Sequence, residues 1–367
     1  MKTSIQIGTV MGIPIKIHIS FLLVLVLFPA VFSIDPVFGF ADVEYAPLRY
    51  ALALILTILL FSCVLLHELG HSWVARRYGI GIRSITLILL GGIAAMEEVP
   101  RDPRAELRIS IAGPLVSLAI GVISYLVYLL FHSIAQTPGL LHITHLVWSL
   151  AYINLILFAF NLIPAFPMDG GRMLRAWYAG RIPYLQATRK AVHIGKMFAV
   201  AMGVFGLFVS IWLILIAIFI YIGASEEEKY AEVSVTLEGI KVSNLMTRDI
   251  AYVPDNINIS ELLMLMFEKK HLGYPVVDRF TGNIIGIVTF TDIKNVPMSE
   301  HDTVLVRDVM TKDVVFISGD ADAMDALKMM SLQNIGRLLV QDDERVTGIV
   351  SRTDLMRSIE VLGYSER

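Results

Sequence analysis

Among 367 residues there is one cysteine, Cys63, so no disulfide framework can be built. Charge is scarce as well: Asp, Glu, Lys and Arg make up 17% of the chain, where soluble globular proteins carry about 25%. No collagen-like glycine repeat occurs, and a chain that is 56% apolar buries too much surface to stay disordered. The shortage of charge is uneven. Residues 1–224 hold 15 Lys/Arg against 9 Asp/Glu, a net of +6, whereas residues 225–367 hold 15 against 24, a net of −9. An acidic tail of that size disfavours nucleic acid as a partner. The fold class that remains is a polytopic α-helical membrane protein of about six spans with a small β-hairpin, followed by a soluble α/β domain.

Spanning the bilayer takes about 20 apolar residues, since its hydrocarbon core is about 30 Å thick. Residues 19–34, 50–66, 109–131 and 146–168 carry no formal charge, and 191–224 is interrupted only by His193 and Lys196. The last run is too long for one span and tight for two, and Gly203, Gly206 and Ser210 mark either a bend or close-packing positions. Six spans are expected, at about 17–35, 49–76, 106–131, 144–165, 190–207 and 209–225. The first run lacks a small-x-small site after Ile34, which argues against a cleaved leader. Arginines gather after the second span (Arg76, Arg77, Arg83, Arg101, Arg104, Arg108), and Arg172, Arg175, Arg181, Arg189 and Lys190 follow the fourth. The connections 35–48 and 132–145 hold no Lys or Arg. By the positive-inside rule the N-terminus, with Lys2 and Lys16, and the acidic tail should both be cytoplasmic.

Ionisable groups at membrane depth are functional candidates by default. The second span ends in His67-Glu68-x-x-His71. Two imidazoles four residues apart share a helix face and can converge on one metal ion, with Glu68 beside them to take a proton from metal-activated water. A helix end whose polar groups reach the interface is the plainer reading, but it does not require this spacing. The best third ligand is Asp169, after a segment broken by Pro164 and Pro167 and loosened by Gly170 and Gly171; the alternative is that Asp169 caps the following helix. Asn154 and Asn161 fall on one face of the fourth span, where they can hold substrate backbone or an oxyanion, or join helices. Cys63, one turn before His67, reads as core. His142 and His145 flank an external connection without a third donor. Residues 84–96 are β-rich, too short to span, and turn near Gly91 and Gly92; they read as a hairpin that either pairs with an unwound substrate or skims the membrane.

His67-Glu68-x-x-His71 together with Asn161-x-x-Pro164-x-x-Pro167-x-Asp169-Gly170 resembles the site-2 protease family of intramembrane zinc metalloproteases, in its branch with C-terminal cystathionine-β-synthase (CBS) domains. The resemblance covers nearly the whole chain. It implies zinc held by His67, His71 and Asp169, Glu68 as catalytic base, and cleavage of transmembrane segments within the bilayer. Met168 stands where leucine is common in the family, a swap that conserves volume.

After a connection at 225–240 the tail repeats. Val242-x-x-x-Met246-Thr247 answers to Val306-x-x-x-Met310-Thr311, and Gly286-Ile-Val-Thr289-x-x-Asp292 answers to Gly348-Ile-Val-Ser351-x-x-Asp354. Each unit reads as a strand, an amphipathic helix (259–270; 323–333), two strands and a closing helix. The halves, 241–300 and 301–367, resemble a tandem CBS pair, which implies an adenine nucleotide (ATP or AMP) at Thr289, Asp292, Ser351 and Asp354, or a dimerisation unit without ligand. On the residues alone, these Ser/Thr-x-x-Asp segments can equally be helix caps. The rival to the protease reading is a transporter or channel gated by such a module, its intramembrane His and acidic groups lining an ion path.

Overall fold

The charge-free runs fold as helices because backbone polar groups have no other partners in hydrocarbon. The computed structural model describes residues 4–89, 91–96, 100–133 and 137–365, in two compact units, 1–232 and 233–367. Lys2, Leu90 of the expected hairpin and residues 134–136 of an expected external connection lie outside the described residues.

In the first unit, strands β1 (Ser4–Val10) and β2 (Ile13–His18) precede helices α1 (Phe21–Ile34) and α2 (Ala46–Arg77). Strands β3 (Ile82–Ile88) and β4 (Gly91–Met96) follow, then α3 (Pro103–His132), α4 (Pro138–Asn161), α5 (Asp169–Ala179), α6 (Tyr184–Val209) and α7 (Ile211–Thr236). Among the described residues α2, α3, α4 and α6 are long and apolar enough to cross a membrane, while the expected spans at 17–35 and 209–225 overlap α1 and α7, which are not among these four. Helix α1 has 14 residues, about 21 Å, because β2 takes up the residues before it. The fourth helix stops at Asn161, short of the expected 165, where Pro164 and Pro167 prevent continuation. Ser210, in an extended conformation, separates α6 from α7, and α7 stays helical to Thr236, through most of the segment expected as a connection.

The four strands form one sheet in the order β1-β2-β3-β4. The β1–β2 hairpin was not expected from sequence; its turn places Met11 and Gly12 at positive φ. β2 and β3 pair in parallel through Ile15↔Ile85 and Ile17↔Leu87, which puts β3 inside the sheet and leaves β4 at its edge. Ile13, Ile15 and Ile85 pack on Leu65 and Leu69 of α2. The sheet is thus anchored to the two turns that carry His67, Glu68 and His71.

The second unit contains α8 (Val242–Leu245), β5 (Val253–Pro254), α9 (Ile259–Lys269), β6 (Gly273–Val277), β7 (Ile284–Thr289) and α10 (Phe290–Ile293), then α11 (Val306–Val309), β8 (Phe316–Ile317), α12 (Ala323–Gln333), β9 (Arg337–Asp342), β10 (Arg345–Ser351) and α13 (Arg352–Ser365). Two three-stranded sheets result, β5-β6-β7 and β10-β9-β8. The repeated motifs meet across the halves. Thr247 exchanges two backbone hydrogen bonds with Ile349, at 2.8 and 3.0 Å, and Thr311 exchanges two with Ile287, both 2.9 Å. Met246 packs against Gly348 and Met310 against Gly286, so closely that a Cβ on either glycine would overlap the thioether. Each half therefore adds its Met-Thr segment to the sheet of the other, which is why both repeats keep Met-Thr and Gly-Ile-Val. At Gly286 an added Cβ would also lie 2.9 Å from the Thr311 carbonyl oxygen, which cannot swing aside. Gly286→Ala is expected to destabilise this unit by about 1–3 kcal/mol, read as a lower unfolding midpoint of the full-length protein.

Candidate metal centre

His67 and His71 lie on the inward face of α2, 5% and 4% exposed. Their Nε2 atoms are 3.1 Å apart, and Asp169 Oδ2 is 3.2 Å from each. The segment 162–168 makes this convergence possible. Gly170 and Gly171 start α5 so tightly against it that a Cβ at Gly170 would stand 2.3 Å from the Ile163 carbonyl oxygen. Asp169 is the first residue of α5, with Met168 at the N-cap position and no side-chain cap bond, so its carboxylate is directed at the histidines and does not cap the helix, the alternative the sequence allowed.

Helix α3 orients both rings. The Ile109 carbonyl accepts from His71 Nδ1 at 2.7 Å, which fixes the Nδ1–H tautomer and leaves the Nε2 lone pair facing the other ring. His67 Nδ1 pairs with the Ser117 hydroxyl at 2.9 Å. With Nε2 unprotonated on both rings, two lone pairs and the Asp169 carboxylate converge in one buried space, a donor set that a metal cation between them would satisfy. Their spacing matches the edge of a tetrahedron around zinc, about 3.3 Å for bonds of 2.0–2.1 Å. Space for an ion is kept by Gly113, where a Cβ would stand 2.2 Å from His71 Nε2 and 2.6 Å from His67 Nε2. Among the described residues this is the group of His, Cys, Asp and Glu side chains able to hold a metal; the buried Cys63 is not in it. Glu68, partly buried, faces the edge strand, and a Cβ on Gly92 of β4 would lie 2.6 Å from its Cγ.

The other expected residues are placed less directly. Asn154 is fully buried and donates to the Leu150 carbonyl at 2.8 Å, while its Oδ1 has no partner. Asn161 donates to Leu157 at 2.9 Å. Neither is bonded to the His-His-Asp group. Residues 85–87, part of the expected substrate edge, pair with β2, so the open edge belongs to β4, which includes Gly91 and Gly92. In the second unit Thr289 Oγ1 donates to Asp292 at 2.7 Å and Ser351 Oγ to Asp354 at 2.6 Å, so all four residues act as caps of α10 and α13. Arg337 lies within electrostatic reach of both Asp292 and Asp354. Ser117 and the Ile109 carbonyl carried no sequence signal, since serine and a backbone group in an apolar helix look like packing; Gly113 stood out only as a small residue.

A buried His-His-Asp group beside a glutamate, on apolar helices, defines an intramembrane metallohydrolase. Peptidase family M50 matches residues 55–141 and 133–204, and the CBS domain matches 242–299 and 306–361. A zinc metalloprotease of Methanocaldococcus jannaschii is 39% identical over 368 residues, covering 100% of this chain and 99% of its own. A protein of Mycobacterium tuberculosis that also bears a zinc-metalloprotease name is 32% identical, covering 98% and 94%. The solved site-2 protease from M. jannaschii is 41% identical over 61% of this chain and 95% of its own, with a TM-score of 0.44. The chain belongs to peptidase family M50, the site-2 proteases, in a form with two CBS domains. It is a multi-pass membrane zinc metalloprotease, and a CBS-gated transporter is not favoured.

Ser117→Ala is expected to weaken zinc binding about 10–100-fold, as loss of a partner that orients a ligand does, and Gly113→Ala to weaken it further by filling the cradle. Zinc affinity of the purified full-length variants, measured by chelator competition, checks both.

Proposed function

We propose that His67, His71 and Asp169 hold a catalytic zinc ion, that Glu68 is the general base, and that the protein hydrolyses peptide bonds of transmembrane segments. The observation that carries this reading is the convergence of three ligand atoms at 3.1–3.2 Å with Glu68 adjacent in sequence. When bound, zinc lowers the pKa of water to about 7 and polarises a carbonyl. Glu68 takes the proton of the attacking water and gives it to the departing amine, so no net proton is lost in the cycle. β4, as an open edge against Glu68, offers backbone groups to an extended substrate, with Gly91 and Gly92 allowing close approach. Asn154 and Asn161 remain candidates for the substrate backbone; the unpartnered Oδ1 of Asn154 favours it as an acceptor.

The arginine distribution supports a cytoplasmic N-terminus and cytoplasmic CBS domains. There an adenine nucleotide would meet Thr289, Asp292, Ser351 and Asp354, with Arg337, within electrostatic reach of both aspartates, as a nearby cation, or the pair would serve as a homodimer contact.

Glu68→Gln is expected to retain zinc and lose cleavage of a membrane-embedded substrate by roughly 100-fold or more; a variant that still cuts would overturn the assignment. Gly92→Ala should keep zinc and lower cleavage roughly tenfold or more, by displacing the Glu68 side chain. Titration calorimetry of the full chain with ATP and with AMP tests the nucleotide, and no heat with either would remove it.

A further inference from the structure

Arg175 is 1% exposed, the largest fully buried side chain among the described residues. It lies on α5, six residues after Asp169. Its Nε and Nη2 donate to Glu106 Oε1 of α3 at 2.8 and 2.6 Å, and Nη1 donates to Glu227 Oε1 of α7. The guanidinium stacks on Phe166 and Tyr184, 5.0 and 5.1 Å from the ring centroids. Glu106 is itself 3% exposed.

Each contact bears on the metal centre. Glu106 precedes by one helical turn the Ile109 carbonyl that fixes the tautomer of His71. Phe166 belongs to the turn that delivers Asp169. α5 has only 11 residues, so its tip, where Asp169 sits, has little of its own to hold it in register with α2. A planar guanidinium that puts two N–H groups on the same carboxylate oxygen, Glu106 Oε1, and a third on Glu227 holds its plane in a set orientation, which a lysine ammonium cannot. Glu227 adds α7 to the same clamp. Two further pairs bind α7 to α6, Lys196–Glu228 at 2.9 Å and Arg189–Glu232 at 3.0 Å. All three carboxylates lie in the charged stretch that ends the apolar part of α7.

We propose that Arg175 is a positioning residue for the metal ligand Asp169: held by Glu106, it sets α5 so that the carboxylate meets both histidines, and through Glu227 it makes that placement depend on α7. The inference rests on the reading of Asp169 as a zinc ligand. A purely structural ion pair would lower thermal stability when broken and leave the zinc affinity of the folded protein unchanged. A positioning clamp moves zinc affinity even where the fold is intact.

The test is chelator competition for zinc on the full-length protein in detergent, well below its unfolding temperature, with circular dichroism and melting curves in parallel. Arg175→Met is expected to weaken zinc binding by tenfold or more, and Arg175→Lys to restore part of the loss. Glu227→Gln, at a carboxylate that keeps a quarter of its side chain exposed, should fold normally and bind zinc three- to tenfold more weakly. Glu227→Gln and Arg175→Lys proteins that fold and bind zinc within twofold of wild type would overturn the proposal. If Arg175→Met fails to fold, Glu227→Gln decides. A wild-type protein that binds no zinc would instead remove the metal assignment itself.

Discussion

The arrangement of the membrane unit follows from one electrostatic constraint: two imidazole nitrogens and a carboxylate oxygen stand 3.1–3.2 Å apart in a buried space. Such a grouping needs a proton or a metal cation among its members, because an apolar surrounding offers no water to relieve it. Its geometry must therefore be imposed by packing elsewhere. Helix α3 does much of that work through small residues. Gly113 leaves room in front of the rings, Gly70 of α2 lets α3 approach so closely that a Cβ would meet Val116, and Gly121 does the same toward Leu155 of α4. Close approach then lets the Ile109 carbonyl and the Ser117 hydroxyl reach the rings from behind.

The second requirement is to bring Asp169 and Glu68 to the same place from different directions. Asp169 arrives on a helix that starts immediately after a proline-broken turn, so chain direction changes within a few residues. Glu68 points to the sheet, where an edge glycine, not a side chain, faces it. These two choices are complementary. The ligand side of the site is crowded and polar, whereas the Glu68 side is bounded by backbone that any extended chain can pair with.

Much of this was legible in the sequence for a physical reason: it is local. The i, i+4 histidines and the intervening glutamate are fixed by helix geometry alone, and the Pro-Pro-Asp-Gly-Gly run announces a turn with a carboxylate on it. The CBS repeat was legible because its halves are copies, and its helices at 259–269 and 323–333 fall within a residue of expectation. What escaped depends on distant partners. Ser117 becomes a ring-orienting group only because α3 crosses α2 at that level. Arg175 read as one of several loop charges, since its carboxylates are 69 and 52 residues away. The β1–β2 hairpin escaped because the residues before Ile19 stand out for the charges of Lys2 and Lys16 and not for strand pairing, and β3, the partner of β2, lies about 70 residues away. The Ser/Thr-x-x-Asp segments were ambiguous in sequence and fold as caps, a role that does not preclude contact by the remaining carboxylate oxygen.

Arginines stand a short way along the same helices from the buried ligand group. Arg76 lies five residues beyond His71 on α2, and Arg108 lies five residues before Gly113 on α3, so both helices place an arginine about 7.5 Å from the metal centre along their axes. Arg108 donates to the Tyr78 hydroxyl at 2.7 Å, tying the two helices together at that level. Asp169, beyond the end of α4, reaches the same height from the third direction. Three independent elements thus bring the His-His-Asp group together about one and a half helical turns from the arginines of α2 and α3. Buried at that level, His67, His71 and Asp169 would hold a zinc ion whose charge water screens little, and Glu68 would stand beside it to handle the proton of an attacking water.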